Sequence, residues 1–280
     1  MTELAYVNGH FCPIADATVS IEDRGFQFGD AVYEVIAAHF GRPFLLDQHL
    51  QRLRRSADAI HLDYDVARIE PIVAEGLRRS GLDHTQIYIQ LTRGIAPRAH
   101  GIPDHAVPTL VITFRPLVPV PDHLRRQGVS VITVPDIRWR RCYVKAVTLL
   151  PNVLARHDAV QRGYFDAIFV TEAGEVREST SANVFIVHDG RIRIPPRDNT
   201  ILHGITQACI MQCAADVGLA VQETSCDVAS LRAADEVFLS STAVDVLPVT
   251  AVDGRPIRTG HVGPITRRLD QAFRDRVSAA

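Results

Sequence analysis

The order of apolar and polar residues along the 280-residue chain predicts many short strands, frequent tight turns and fewer helices. Leu4-Ala5-Tyr6-Val7 and His10-Phe11 flank an Asn8-Gly9 pair, a hairpin signal because both turn positions favour positive φ. Residues 32–40 are rich in Val, Ile, Tyr and Phe and read as a strand, which Gly41-Arg42-Pro43 turns into Phe44-Leu45-Leu46. Asp47 is placed to cap a helix carrying Leu50, Leu53, Ala57 and Ile60 on one face. Residues 66–79 predict a second helix, with Pro71 tolerated near its start or marking a break. Strands follow at residues 87–92 and 110–114.

Residues 115–123 hold three prolines and suit neither regular structure, so they mark a linker. This divides the chain into an N-terminal α/β domain at 1–117, a linker at 118–124 and a C-terminal domain at 125–280 that carries Lys145. The second half predicts strands at 129–134, 167–171, 183–187 and 237–239, with Asp-Gly hairpins at Asp189-Gly190 and Asp253-Gly254. Helices are expected at 150–162 and 205–217, the latter stopped by Gly218, and a charged helix closes the chain. Strands outnumber helices and hairpins recur, so the fold class is α+β with antiparallel or mixed sheets.

Composition narrows the class further. Apolar residues make up 46% and charged residues 22%, the mix of a globular protein with a substantial core. The net charge is -2 and no basic block stands out, so neither a nucleic-acid partner nor an anionic membrane is expected. No run of eighteen apolar residues occurs, and Met1-Thr2-Glu3-Leu4 lacks the basic-then-apolar layout of a signal peptide. The five cysteines form no C-x-x-C pair, and Cys209 and Cys213 sit at i, i+4 as small apolar residues. A cytoplasmic protein without structural disulfides is the expectation.

The cations change the picture. Lys and Arg number 30, yet Lys145 is the single lysine. A bias toward arginine accounts for the rest, but arginine stays protonated and is a poor amine nucleophile. Lysine can lose its proton and condense with a carbonyl. An enzyme built on pyridoxal 5′-phosphate (PLP) needs such a lysine, an acid at the pyridine nitrogen, donors for the phosphate and a cation for a substrate carboxylate. Glu178 in Val176-Arg177-Glu178-Ser179-Thr180-Ser181 lies before a strand in a hydroxyl-rich turn, and is either the acid or a solvated turn residue. His203-Gly204-Ile205-Thr206 opens a helix in a manner that suits phosphate or ordinary capping. Ser240-Ser241-Thr242 follows a buried strand as donors or as a polar loop. Arg93 and Arg98 flank Gly94-Ile95-Ala96-Pro97, with His100 close behind, a loop for a carboxylate or for solvent. Gly-x-Ser-x-Gly, GxGxxG and P-loop patterns are absent, and neither His100 with His105 nor His84 with Asp83 has zinc spacing, so no metal is expected.

Taken together, these residues resemble the fold-type IV PLP enzymes, and within them the D-amino-acid aminotransferases. The likeness runs through Asp23-Arg24-Gly25-Phe26-Gln27-Phe28-Gly29-Asp30, Val32-Tyr33-Glu34-Val35, Thr92-Arg93-Gly94 and Pro97-Arg98-Ala99-His100. It continues with Asp136-Ile137-Arg138-Trp139, Arg141-Cys142, Lys145, Ser181-Ala182-Asn183-Val184-Phe185, Ile201 to Thr206 and Ser241-Thr242. The resemblance implies a two-domain fold with PLP in the interdomain cleft and Lys145 as the Schiff-base lysine and proton carrier. It implies Glu178 at the pyridine nitrogen and Arg52 at the phosphate, where a helix-surface arginine beside Arg54 and Arg55 is the plain alternative. Ile205, Thr206, Ser241 and Thr242 would also meet the phosphate, and Leu202 would prop the ring. Tyr33, Arg98 and His100 match the trap for the α-carboxylate, the arginine and histidine being contributed by a partner subunit, so a homodimer is implied. The implied reaction moves an amino group from a D-amino acid such as D-alanine to 2-oxoglutarate, giving a 2-oxo acid and D-glutamate. A branched-chain or (R)-amine aminotransferase and an aminodeoxychorismate lyase share the fold and are the alternatives. Two positions depart from the pattern: Ala31 stands where glycine is common, and Arg177 replaces a smaller residue, either competing for Glu178 or pointing away.

Overall fold

Alternation along residues 31–39 decides the first half of the molecule. Val32, Glu34, Ile36 and Ala38 are buried on one face, while Tyr33 and Val35 face the other and stay half-buried. A strand with one fully buried face needs a helical layer against that face. The computed structural model, which describes residues 3–279, supplies it. The reading of Met1 and Thr2 for a leader falls outside the described residues.

Residues 3–118 with Val144–Thr148 form one unit, and Pro119–Tyr143 with Leu149–Ala279 form the other. The first contains β1 (Leu4–Val7), β2 (His10–Pro13), α1 (Arg24–Phe28), β3 (Ala31–His39), β4 (Arg42–Pro43), α2 (Leu46–Ala59), α3 (Ile69–Ser80), β5 (His84–Thr92) and β6 (Thr109–Pro116). Its sheet runs β2-β1-β6-β5-β3-β4, antiparallel throughout. The buried sheet side chains Ile36, Ile87, Ile89, Ile112 and Phe114, with Leu53, Ile69 and Val73 of the helices, make up its core.

The second unit contains α4 (Asp122–Gln127), β7 (Val129–Pro135), α5 (Leu150–Gln161), β8 (Asp166–Val170), β9 (Val176–Ser179), β10 (Asn183–His188) and β11 (Arg191–Ile194). It continues through α6 (Ile205–Asp216), β12 (Val221–Glu223), α7 (Val228–Arg232), β13 (Glu236–Ser241), β14 (Asp245–Val252), β15 (Arg255–Pro256) and α8 (Pro264–Ala279). The sheet order is β12-β11-β10-β13-β14-β7-β8-β9, with β15 on β14. It is mixed: β7 runs parallel to both β14 and β8, and β12 parallel to β11, while the other pairs are antiparallel. Val131, Ile168, Val184, Val237, Leu239 and Leu247 lie in one continuous core.

Several expectations are corrected. Asp47 does not cap α2; Leu45 occupies the N-cap at φ 57 without a side-chain cap, and Asp47 lies in the first turn, where its charge meets the positive end of the helix. Residues 66–79 divide into a 3-10 turn at Val66–Arg68, capped by Asp65, and α3, with Pro71 in the first turn where its missing N–H costs nothing. Asp122 opens α4 inside the stretch expected to be an irregular linker. Glu178 is not in a turn; it lies in β9, all four of whose residues are buried. Ser240 and Ser241 end β13 rather than following it. Lys145 belongs to the first unit, because its segment is hydrogen-bonded along β3: Tyr33 N–H donates to the Lys145 carbonyl at 3.0 Å and Val147 N–H to the Ala31 carbonyl at 3.2 Å.

Gly76 shows how tightly the first unit packs. A methyl group there would stand 2.0 Å from Cζ of the Phe114 ring, which is fully buried and has nowhere to move. Alanine favours a helix by about 1 kcal/mol over glycine. Overpacking costs about 1–3 kcal/mol. Gly76→Ala is therefore expected to destabilise the protein despite its better propensity, lowering the denaturant midpoint; a raised midpoint would show that Phe114 can yield.

Candidate active site

Glu34 is the one acid on the buried face of β3. Helix α2 turns His49, Arg52 and Ser56 inward at i, i+3 and i+7, a polar line inside an otherwise apolar stripe. Arg52 grips Glu34 with two parallel bonds, Nε to Oε1 at 2.7 Å and Nη2 to Oε2 at 2.8 Å. His49 Nδ1 lies 2.7 Å from Oε2 and must carry the proton, since a carboxylate only accepts. Burial alone would raise the Glu34 carboxyl, but the Arg52 charge, then the Arg52 and His49 hydrogen bonds, hold it down at about 2. Burial lowers the His49 imidazole below its ordinary value, with Glu34 pulling the other way. Arg52 is thus no surface arginine: it is 5% exposed and works from inside α2.

The same helix and strand fix Lys145. Its backbone N–H donates to Ser56 Oγ at 3.1 Å, and its carbonyl accepts from Tyr33. Its Nζ stands 4.3 Å from the centroid of the Tyr33 ring. Tyr33 in turn lies 5.7 Å, centroid to centroid, from Tyr88, whose hydroxyl donates to Gln90 at 2.7 Å. Burial first, then Tyr33, pushes the Tyr88 phenol up to about 12, so it stays a donor. Ala31 fits fully buried at the head of β3, where its small side chain is accommodated.

The loop after β5 separates its two arginines. Arg93 is buried and forks onto Asp30 at 2.7 and 2.8 Å while donating to the Ile60 and His61 carbonyls, so it braces the loop and holds no substrate. Arg98 and His100 are exposed and flank Phe28: the Arg98 guanidinium lies 4.6 Å from that ring's centroid and the His100 ring 5.7 Å.

In the second unit, Asn183 gathers the remaining candidates. It is the cross-strand partner of Ser240, and its Nδ2 donates to Glu178 Oε2 at 3.2 Å and to the Leu202 carbonyl at 2.8 Å. The Leu202 N–H returns to Glu178, 3.1 and 3.0 Å from its two oxygens. Arg138 donates from Nη1 to Glu178 Oε1. Arg177 points away, as alternation in β9 requires, and pairs with Glu175 at 2.7 Å. Gly204 caps α6 because a methyl group there would lie 2.1 Å from Asn183 Oδ1. Ile205 and Thr206 follow in the first turn, which carries no side-chain cap. Ser241 ends the strand whose Ser240 pairs with Asn183, and Thr242 follows in the turn. Both amide atoms of buried Gln207 and the Oγ of buried Ser240 lack a partner among the described residues. A helix start with uncapped amides, orphaned buried polar atoms and a buried carboxylate held by three donors suits a phosphate ester carrying a basic ring. PLP fits that donor set.

His49 and Ser56 were not picked out from sequence, and Glu34, Arg138 and Asn183 stood in the quoted motifs without a role. Two had a visible signal: Glu34 is an acid inside an apolar strand, and Asp136-x-Arg138 places opposite charges on one face.

The amino-transferase class IV family matches residues 31–252. A D-alanine aminotransferase of Staphylococcus epidermidis is 41% identical over 271 residues, covering 96% of this chain and 95% of that protein. Among solved structures, the branched-chain amino acid aminotransferase of Escherichia coli superposes with a TM-score of 0.89 at 26% identity, over 98% of this chain and 94% of the other. The T.th. branched-chain amino acid aminotransferase with pyridoxamine 5′-phosphate gives 0.89 at 28% identity, over 100% and 95%.

Glu34 sets an acid limit on stability. Its carboxyl is held below the ordinary 4.5, so its contribution is complete above that pH and is lost as pH falls toward 2. His49, also depressed, weakens the fold as pH falls through its ordinary 6.5, because the unfolded chain takes the proton first. Glu34→Gln removes the counter-charge of a buried arginine and should cost about 3–5 kcal/mol at pH 7. The gap to wild type should narrow by pH 3, and denaturant titrations at both pH values check it; an equal gap would show that Glu34 is not ionised.

Proposed function

The chain belongs to the amino-transferase class IV family and is a PLP-dependent aminotransferase, and from that premise we propose that it moves the amino group of D-amino acids such as D-alanine to 2-oxoglutarate. The observation that carries this reading is the chain's single lysine, its backbone clamped between Ser56 and Tyr33 and its amine over the Tyr33 ring. Preference for D-amino acids draws on the D-alanine aminotransferase of S. epidermidis, at 41% identity against 26% for the branched-chain enzyme of E. coli.

When bound, PLP supplies a carbonyl carbon that condenses with amines and a ring that withdraws electrons from Cα. The chain's own residues do the rest. Lys145 would hold the cofactor through Nζ, and the same nitrogen would carry a proton to and from the substrate's Cα. Clamping its backbone at both N–H and carbonyl limits where Nζ can reach, so it serves one face of the substrate. The Glu178 carboxylate would favour a proton on the ring nitrogen. Arg52, Ile205, Thr206, Ser241 and Thr242 would bind the phosphate, and Leu202 would support the ring. Tyr33, Arg98 and His100 bind the α-carboxylate. Fixing that carboxylate on one side leaves one enantiomer with its hydrogen toward Lys145, which is how position selects D-amino acids.

Arg98 and His100 complete this trap in a homodimer. The exposed apolar side chains Ile21, Phe26, Ile95 and Val107 in the same unit support that assembly, since a second copy would cover them. A cytoplasmic setting belongs to the same proposal; the five cysteines are free thiols, and among the described residues no helix is long and apolar enough to cross a membrane.

Borohydride treatment of the PLP-loaded protein should fix the cofactor to the one peptide containing Lys145, and Lys145→Ala should abolish both that adduct and turnover. A donor panel of D-alanine, L-leucine, an (R)-arylamine and aminodeoxychorismate, each with and without 2-oxoglutarate, decides the substrate; preference for L-leucine would overturn the D-specific reading. Sedimentation equilibrium should give twice the chain's mass, and Phe26→Glu should shift it toward the monomer.

A further inference from the structure

Glu178 does not stand alone. Arg138 N–H and Nε donate to Asp136 Oδ1 at 3.1 and 2.9 Å, Nη2 donates to Asp136 Oδ2 at 2.8 Å, and Nη1 is turned onto Glu178 Oε1. Nη2 also reaches the Thr200 carbonyl at 3.2 Å, and the guanidinium lies 4.4 Å from the centroid of the Phe169 ring. The Arg138 and Glu178 side chains are 6% and 8% exposed, and that of Asp136 13%. This is a cation held from three sides and aimed at one carboxylate oxygen.

The trio's charges do not cancel. Two carboxylates share one guanidinium, which leaves a formal charge of about −1 in a largely dry site. Burial pushes the Cys142 thiol up to about 11 against the pull of Arg138, so the thiol is neutral. Asp198 is an acid tied to Thr200, with the His203 ring against its carbonyl. Arg177, next to Glu178 in sequence, pairs with Glu175. Asn183 and the Leu202 N–H are neutral donors.

We propose that Asp136 and Arg138 are positioning residues that set how strongly Glu178 holds a proton on the cofactor's ring nitrogen: Asp136 fixes Arg138, and Arg138 tempers the carboxylate. This rests on the reading of Glu178 given above. The two residues act with opposite sign. Removing the Arg138 charge takes a cation from beside both carboxylates and strengthens the hold on the ring proton. Removing the Asp136 charge leaves the guanidinium opposed by Glu178 alone and weakens it.

The test loads the protein with PLP labelled with nitrogen-15 in the ring and follows the chemical shift of that nitrogen from pH 6 to 10. Arg138→Met should move ring deprotonation to higher pH and Asp136→Asn to lower pH, each by about one unit. Arg138→Lys keeps the charge and should return the titration toward wild type even though it loses the fork. In a Glu178→Gln background the two shifts should vanish. Shifts of equal sign, or none from either variant while Glu178→Gln alone moves the signal, would overturn the proposal and leave the reading of Glu178 standing. No change with Glu178→Gln would overturn both. Should Arg138→Met fail to fold, Asp136→Asn and Arg138→Lys still decide the sign.

Discussion

The Glu34 carboxylate, fully buried between a sheet and a helix, holds the first unit in its working form. A charge at that depth persists only when paired and hydrogen-bonded. Arg52 and His49 meet that need, and in doing so they pin helix α2 to strand β3 at a fixed rotation and height. Tyr33, next to Glu34 on the strand, and Ser56, one turn beyond Arg52 on the helix, are then placed with no freedom of their own. They are the residues that hold the Lys145 backbone. The Lys145 backbone is thus placed through elements that the Glu34–Arg52 pair locks together.

The second unit reaches a comparable result with an amide. Asn183 joins the Glu178 strand to the Leu202 carbonyl, and it lies so close to Gly204 that no side chain fits there. That closeness brings the start of α6 up to the sheet, where backbone N–H groups and Ser240 gather. Glu178 receives an arginine, an amide and a backbone N–H, so its lone pairs are directed before any ligand arrives. Preorganised donors of this kind need no rearrangement when charge develops, which is what makes them effective.

Arginine and lysine divide the work throughout. Buried arginines 52, 93 and 138 fork onto carboxylates, a task that needs a planar, permanently charged group. The one lysine is the chain's one side-chain amine, a group that can condense with a carbonyl once deprotonated. A composition that looks like codon bias is therefore also a partition by chemistry.

Much of this was legible in the chain itself. Period-two patterning and the Asn8-Gly9, Asp189-Gly190 and Asp253-Gly254 pairs located the hairpins, because turn geometry is a local property. The single lysine and the ordered motifs around it identified the chemistry. What could not be read were the choices made by distant neighbours. Glu178 looked like a turn acid because nothing local says that Arg138 and Asn183 will surround it. Asp47 looked like a cap because the left-handed Leu45 is imposed by the turn out of β4. Lys145 follows the linker in sequence, yet its backbone bonds place it with β3. The sequence by itself determined which groups were available and the local shapes they favour; tertiary structure alone decided which buried charges meet, since desolvation makes each accept whatever partner the fold brings within hydrogen-bonding distance.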